Sequence, residues 1–206
     1  MTSRASLIET FTRQWARVAG RLYLAKDPSG LQSALQKAIA EFTGKEGQKR
    51  VVAWDSASIE QFHVDRALNA WSDVLYQKYV APPDSVWTPE ERARARQLLE
   101  TCDVAVSDCA WAVAATGSVM VSAIERSSTW PSLLAPQHLI LLRADQIVAT
   151  VAEGLRLAAK KPLPPLMKII TGPSMTADIE GQLIIGVHGP KAVSIVLLDE
   201  HSDTAW

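Results

Sequence analysis

The sequence is poor in cysteine and histidine, and this scarcity limits the sites that it can build. Cys102 and Cys109 are the only two cysteines in 206 residues, too few for a disulfide scaffold or for a four-cysteine zinc or iron–sulfur site. The four histidines show no HxH, HxxxH or HExxH spacing. The sequence therefore predicts no metal site of its own.

An excess of charge of one sign is also absent. The chain has 21 Lys and Arg against 22 Asp and Glu, so no overall basic field attracts nucleic acid. The charge is uneven, because residues 1–50 hold nine basic and four acidic side chains. This basic segment suits an acidic partner or a membrane surface, or it is simply a solvated helix face.

Long apolar runs are missing as well. Residues 1–20 lack the continuous apolar core of a signal peptide. Residues 104–124 are long enough to cross a bilayer, but Asp108, Thr116 and Gly117 interrupt them. We interpret this stretch as two buried strands joined by a loop, and we expect a cytoplasmic protein without a membrane span.

Hydrophobic residues make up 48% of the chain. Their pattern along the sequence predicts an α/β protein. A stripe at steps of three and four indicates an N-terminal helix, and Thr88-Pro89-Glu90-Glu91 has the form of a capping box. Predicted helices cover residues 5–25, 31–42, 59–71, 88–102 and 147–161, with a helical turn at 110–115. Predicted strands cover residues 50–54, 104–106, 118–121, 139–142, 166–170 and 192–198.

Strands that alternate with helices imply a mainly parallel, open, twisted sheet with helices on both faces. We expect residues 1–45 to form an N-terminal helical segment that packs on or flanks the core. Residues 46–206 are expected to form a single α/β domain.

The polar connection TGPSMTADIEGQLIIGVHGP, residues 171–190, lies between two of these predicted strands. A glycine-rich polar connection at the end of a buried strand is where α/β proteins usually build sites. Gly172 is expected to set a turn, and Ser174 or Thr176 to cap a helix that begins near Ala177. The amino end of such a helix suits an anion.

Three residues of this connection are candidate catalytic groups. Asp178 and Glu180 stand two apart, so on a helix they point in different directions and are not expected to act as a pair. Both acids also fit a purely structural role at the positive end of the helix. His188, followed by Gly189, is expected to be an accessible acid, base or ligand, unless it only bonds to backbone.

A second candidate is the turn Thr116-Gly117-Ser118 between two apolar runs. Hydroxyls and backbone N–H groups in such a turn can hold a phosphate or carboxylate, or the segment is an ordinary tight turn. It is not a P-loop, because no Gly-Lys-Ser/Thr follows, and no GxGxxG occurs elsewhere.

The connection at residues 171–190 resembles the signature of the LutC/YkgG family of lactate utilization proteins, the LUD domain. In that family a GPS-x-TADIE run precedes a GVHGP run, and both stand here. Residues 103–108, 115–118 and 134–138 look like the family's strand, TGT-like turn and Leu-Pro-x-x-His segment. The sequence departs from the pattern at Ala115, where the family usually has an acidic residue.

The resemblance implies a fold like the NagB/RpiA/CoA-transferase group and a subunit that assists oxidation of L-lactate to pyruvate. It also implies that iron–sulfur clusters belong to partner proteins and that this chain binds no cofactor itself. The chain would then dock on iron–sulfur lactate-utilization proteins or bind a small anionic ligand in a cleft. The expected lining is Thr116, Gly117, Ser118, Gly172, Ser174, Thr176, Asp178 and Gly189, with His188 as an acid or base.

Two other hypotheses stay open at this point. By analogy of fold alone, the chain is a stand-alone enzyme related to sugar-phosphate isomerases or CoA transferases, with Asp178 or Glu180 as base or nucleophile. Alternatively, it is a non-catalytic interaction module whose N-terminal helix binds a partner.

Overall fold

Helices and strands alternate along the chain. The computed structural model describes residues 3–41, 47–81, 87–123, 128–160, 162–177 and 182–199. Its helices are α1 Arg4–Arg17, α2 Pro28–Ala40, α3 Ala57–Gln61, α4 Val64–Asn69, α5 Pro89–Thr101, α6 Pro131–Leu134 and α7 Val151–Ala158. Its strands are β1 Arg21–Ala25, β2 Lys49–Trp54, β3 Val74–Tyr79, β4 Val104–Asp108, β5 Trp111–Val113, β6 Ser118–Ser122, β7 Gln137–Arg143, β8 Ile147–Val148, β9 Met167–Ile170, β10 Met175–Ala177, β11 Leu183–Ile185 and β12 Ala192–Leu198.

The central sheet has the strand order β1-β12-β7-β4-β2-β3, and each neighbouring pair is parallel. Strands buried on both faces have nearly continuous apolar sequences, and β7 and β12 are buried along almost their whole length. The prediction of a mainly parallel open sheet with an N-terminal helix is confirmed.

One face of the central sheet is covered by α2, α3 and α4. The apolar side chains of these helices pack on alternate residues of the strands, as the two-residue repeat of a strand requires. The cluster includes Leu35 and Ile59 from the helices and Val106, Leu141 and Val196 from the strands.

The opposite face is covered in two parts. Helices α5 and α6 pack over one half, around Trp54 and Leu99. A second sheet with the order β8-β5-β6-β9 and helix α1 cover the other half, over Ile140 and Ile195. In this second sheet β6 is antiparallel to both β5 and β9.

The predicted helix over residues 5–25 is shorter in the structure, since α1 ends at Arg17 and residues 21–25 form β1. The Trp15 indole N–H donates to the Arg21 carbonyl at 2.9 Å, and Gly20 lies against the ring, where a Cβ would overlap it. The chain therefore reverses after α1, and β1 joins the central sheet beside β12. The predicted division at residue 45 stays a prediction.

Two other helix predictions are wrong in part. Residues 111–113 form β5 rather than a helical turn, because they pair with β6 across a turn that contains Gly117. Residues 147–148 pair with β5, so α7 begins only after Thr150, whose hydroxyl accepts from the Glu153 N–H. In both places pairing between strands overrides the local helical pattern.

The predicted capping box at Thr88 is confirmed. The Thr88 hydroxyl accepts from the Glu91 N–H at 3.2 Å, and the Glu91 carboxylate accepts from the Thr88 N–H at 2.8 Å. Among the described residues, no helix is both long enough and apolar enough to cross a membrane.

Candidate functional site

The two halves of the polar connection at residues 171–190 lie side by side. Strand β9 ends at Ile170, and the chain then runs into β10, which pairs with β11 as an antiparallel hairpin. The Ser174 N–H donates to the Pro190 carbonyl at 3.0 Å, and the Gly186 N–H donates to the Ser174 carbonyl at 2.8 Å. The structure therefore brings the GPS run and the GVHGP run together.

The predicted helix start near Ala177 is wrong, because residues 175–177 form β10. Thr176 pairs with Ile184 in this hairpin and does not cap a helix. The argument for an anion at a helix amino end therefore does not hold here. Asp178 and Glu180 lie outside the described residues.

His188 lies exposed in the bend between β11 and β12. Gly189 of the same bend faces Ser174: a Cβ at residue 189 would lie 3.4 Å from the Ser174 Cβ and 3.6 Å from the Ser132 carbonyl oxygen. The ligand-binding and catalytic assignments of His188, Gly189, Ser174 and Thr176 stay predictions.

Three hydroxyl groups in a row join the turn at residues 116–118 to the polar connection at residues 171–190. The Ser118 Oγ lies 2.8 Å from the Thr116 Oγ1 and 2.8 Å from the Thr171 Oγ1. Ser118 is buried, while both threonines are exposed. The structure thus joins the two segments that the sequence predicted to line one cleft, but through Thr171 rather than through Ser174.

The glycines of these two segments make room for the end of α1. Gly117 has a φ of 61°, and a Cβ there would lie 2.5 Å from the Trp15 backbone nitrogen. Gly172 has a φ of 85°, and a Cβ there would overlap the carbonyl oxygen of Val18. The Gly117 N–H donates to Val113 inside its turn. The structure gives both glycines a packing role, and their assignment to ligand binding stays a prediction.

Lys168 is the positive charge at the centre of this region. It lies on β9, and its Nζ donates to the Ser132 carbonyl at 3.0 Å and to the Ser132 hydroxyl at 3.4 Å. Partial burial of the ammonium group lowers the pKa of Lys168. Gly189 lies against both the Ser132 carbonyl and Ser174, so Lys168, Ser132, Gly189 and Ser174 form one polar cluster, which we call the Lys168 site.

A buried serine–histidine pair of the central sheet lies close to the Lys168 site. The Ser107 Oγ is 2.8 Å from the His138 Nε2, and both side chains are buried. Burial, together with the nearby charge of Lys168, lowers the pKa of His138 from 6.5 to about 3. His138 is therefore neutral at physiological pH.

The second ring nitrogen of His138 is unpaired. The Ser107 hydroxyl also contacts the Asp108 carbonyl at 3.2 Å, while the His138 Nδ1 is buried and has no hydrogen-bond partner among the described residues.

Sequence reasoning missed Lys168, Ser132 and Ser107 as site residues. Their signal is weak, because serine is common and Lys168 sits inside an apolar run that predicts a buried strand. A lone lysine in such a run is the clue that was available, since a buried ammonium needs partners.

The described part of the chain holds no group of three or more His, Cys, Asp or Glu residues placed to bind a metal ion. Both cysteines are buried free thiols. Burial raises the pKa of Cys102 to about 12 and raises the pKa of Cys109 as well.

The sequence is similar to curated bacterial proteins over most of its length. It is 26% identical to Lactate utilization protein C of Shouchella clausii over 170 residues, which cover 81% of this chain and 69% of the relative. It is 27% identical to Lactate utilization protein C of Anoxybacillus flavithermus over 201 residues, which cover 96% of this chain and 83% of the relative. YkgG of Escherichia coli is 38% identical over 121 residues, which cover 55% and 52% of the two chains.

The fold also matches a solved structure. A DUF162 family protein from Deinococcus radiodurans superposes with a TM-score of 0.63 at 21% identity, covering 95% of this chain and 98% of that one. The model of the LUD domain matches residues 8–198, which include most of α1, both sheets and the Lys168 site. The chain therefore belongs to the LUD domain family, in the group of LutC and YkgG proteins.

Proposed function

We propose that the chain is a lactate-utilization protein that assists the oxidation of L-lactate to pyruvate together with iron–sulfur partner proteins. We further propose that it binds a small carboxylate at the Lys168 site. The observation that carries the proposal is the similarity, across 81% and 96% of the chain, to two proteins named Lactate utilization protein C.

The chemistry of Lys168 supports a carboxylate ligand. An ammonium group has three N–H donors, and Ser132 is its only hydrogen-bond partner among the described residues. Its carbonyl and hydroxyl occupy two of the donors, so one donor is left for a ligand. L-lactate and pyruvate both carry a carboxylate, which pairs well with a partly desolvated ammonium.

The surroundings of Lys168 supply hydrogen-bonding groups, and its histidine neighbour adds no positive charge. His138 is neutral at physiological pH, since its pKa is about 3. The Ser174 hydroxyl and the Ser132 carbonyl lie beside the Gly189 bend, where the Ser174 hydroxyl suits the oxygen on the second carbon of lactate or pyruvate. A bound anion would also offset the cost of burying the ammonium group.

Genetic complementation tests the pathway role. A deletion strain without any other lactate oxidase is grown on L-lactate and complemented with wild type, Lys168→Met, Lys168→Arg or Lys37→Met. Lys37 is an exposed lysine on α2, so Lys37→Met is the matched control. We expect growth with wild type and Lys37→Met, loss of growth with Lys168→Met, and partial growth with Lys168→Arg. Growth of the uncomplemented deletion strain would contradict the proposal.

Calorimetry with the purified chain tests the ligand. Lactate or pyruvate is titrated into wild type and Lys168→Met, and we expect about a tenfold loss of affinity in the variant, the worth of one charge-assisted hydrogen bond. Co-purification of iron–sulfur partners should be unchanged in Lys168→Met. Equal affinity for wild type and variant would exclude Lys168 as the carboxylate contact.

Turnover by the chain alone would favour the stand-alone enzyme instead. The test is purified protein with sugar phosphates and acyl-CoA thioesters, and Glu180→Gln as the variant. We expect no turnover in any of these assays.

A further inference from the structure

We propose that a surface cavity on the outer side of the second sheet binds an amphiphilic carboxylate, an apolar chain or ring that carries one anionic group. The cavity has a volume of about 510 Å³ and lies between β5, β6, the end of α7 and residues 162–164. This volume is within the range of small-molecule pockets.

The cavity is separate from the Lys168 site. Side chains alternate between the two faces of a sheet, and Val121, which pairs with Lys168, packs in the core between the two sheets. Its neighbours Met120 and Ser122 line the cavity on the other face. The proposal therefore does not depend on the proposed function.

The walls of the cavity are mainly apolar and preformed. Trp111 and Met120 come from the sheet, and Leu157 comes from α7. The ring of Trp111 packs so closely on α7 that a Cβ at Gly154 would lie 2.6 Å from it. This contact holds the indole in place, so a ligand does not have to order it.

Two hydrogen-bond acceptors at the cavity, on Asp145 and Gln146, are already engaged. The Asp145 carboxylate accepts two bonds from the Arg143 guanidinium, at 2.6 and 3.0 Å. The Gln146 side-chain oxygen accepts from the Arg143 N–H at 2.7 Å, while its amide donates to the Cys109 carbonyl at 2.9 Å. The Asp145 carboxylate, which would attract a cationic ligand, is therefore already paired with Arg143.

One donor at the cavity has no partner among the described residues. The ammonium group of Lys160 is exposed and has no acidic partner there. Apolar walls and an unmatched ammonium complement a ligand with an apolar body and an anionic oxygen group. A carboxylate supplies both the negative charge for Lys160 and acceptor oxygens.

Three eight-carbon probes test the charge preference by calorimetry: octanoate, 1-octanol and octylammonium. We expect saturable octanoate binding, three- to fivefold weaker binding of octanol, which is roughly the worth of one solvent-exposed ion pair, and still weaker binding of octylammonium. Lys160→Gln should remove the difference between octanoate and octanol, while Lys37→Gln should leave it. Equal affinities for octanoate and octanol in wild type, or no saturable octanoate binding, would overturn the proposal.

A cavity-filling variant tests the location. Ala158→Trp places a large ring among the lining residues, and we expect it to abolish binding of both octanoate and octanol while circular dichroism shows the native fold. Octanoate binding that survives in folded Ala158→Trp would overturn the proposal. If this variant does not fold, the comparison of Lys160→Gln with Lys37→Gln decides. Saturating lactate should leave octanoate affinity unchanged, which separates this cavity from the Lys168 site.

Discussion

The central parallel sheet and the hairpin β10–β11 are built on opposite principles. The central strands bury nearly every side chain between two covering layers, as Ile140 and Ile195 show at 0% exposure. The hairpin leaves apolar side chains at the surface, with Ile184 at 42% and Ile185 at 45% exposure. Packing thus determines the sequence of one region, while the polar connection around the hairpin is free to carry function.

Polar groups differ between the two regions in the same way. In the central sheet, Ser107 and His138 are buried and bonded to each other, which pairs one polar atom of each side chain, since an unpaired polar atom there costs about 1–3 kcal/mol. In the polar connection, Thr171 and His188 face solvent. Lys168 lies where the two regions meet, and it is half-buried.

The largest effect that we predict tests how firmly the polar connection is attached to α1. Gly172→Ala combines a positive φ with overlap of the Val18 carbonyl, and we expect a loss of about 3 to 4 kcal/mol in the free energy of unfolding. Gly47→Ala is the control, because Gly47 also has a positive φ, 96°, but a Cβ there meets no atom within 4 Å. We expect about 1 kcal/mol for this control. Urea denaturation measures the free energy of unfolding of both variants. Equal losses in the two variants would mean that the close contact of Gly172 with the end of α1 contributes nothing to stability.

The second prediction concerns pH and the buried histidine of the central sheet. The pKa of His138 is about 3 in the folded protein against 6.5 ordinarily, so the unfolded chain takes up the proton first as pH falls. The contribution of neutral His138 is complete above about pH 6.5 and is lost as pH falls toward about 3. Between about pH 7 and 4.5 we expect wild type to lose about 2 kcal/mol more than His138→Gln, measured by urea denaturation. Parallel pH profiles of wild type and variant would contradict a buried neutral histidine.

The smallest predicted effect compares matched substitutions in the two regions. Ile140→Val removes one methylene from the core and should cost about 1 kcal/mol. Ile184→Val removes the same group from the exposed hairpin and should cost less than about 0.5 kcal/mol. Thermal or urea unfolding measures both variants. If Ile184→Val lowers the free energy of unfolding as much as Ile140→Val does, the Ile184 side chain is packed against another part of the protein and is not exposed.

Most of the central sheet is predictable from the sequence because burial on both faces gives its strands continuous apolar runs. Strands β1 and β3, at the two edges of the sheet, are the exceptions. The residues of β1 continue the helical spacing of α1, and β3 is buried at only part of its length, so it has no continuous apolar run. Strand β5 is too short to show its own pattern. Its existence depends on pairing with β6 and β8, which local periodicity does not encode.

The candidate site is predictable only in part for a similar reason. The sequence motif places Ser174 and Gly189 in one segment, and the structure brings them into contact. Lys168 and Ser132 come from segments that are distant in sequence, and they meet only because β9 packs beside α6. A sequence pattern without the fold contains no sign of that contact.

The position of β12 determines when the molecule is able to assemble. Because β12 lies between β1 and β7, β1 has no neighbour in the sheet until β12 has left the ribosome. The core that α1 shares with the second sheet also includes Ile195 and Leu197 from β12. Almost the whole matched domain must therefore be synthesised before β12 pairs with β1 and β7 and completes the central sheet. Strand pairing over such a long sequence distance is slow. Until it occurs, unpaired strand edges stay exposed to chaperones and to aggregation.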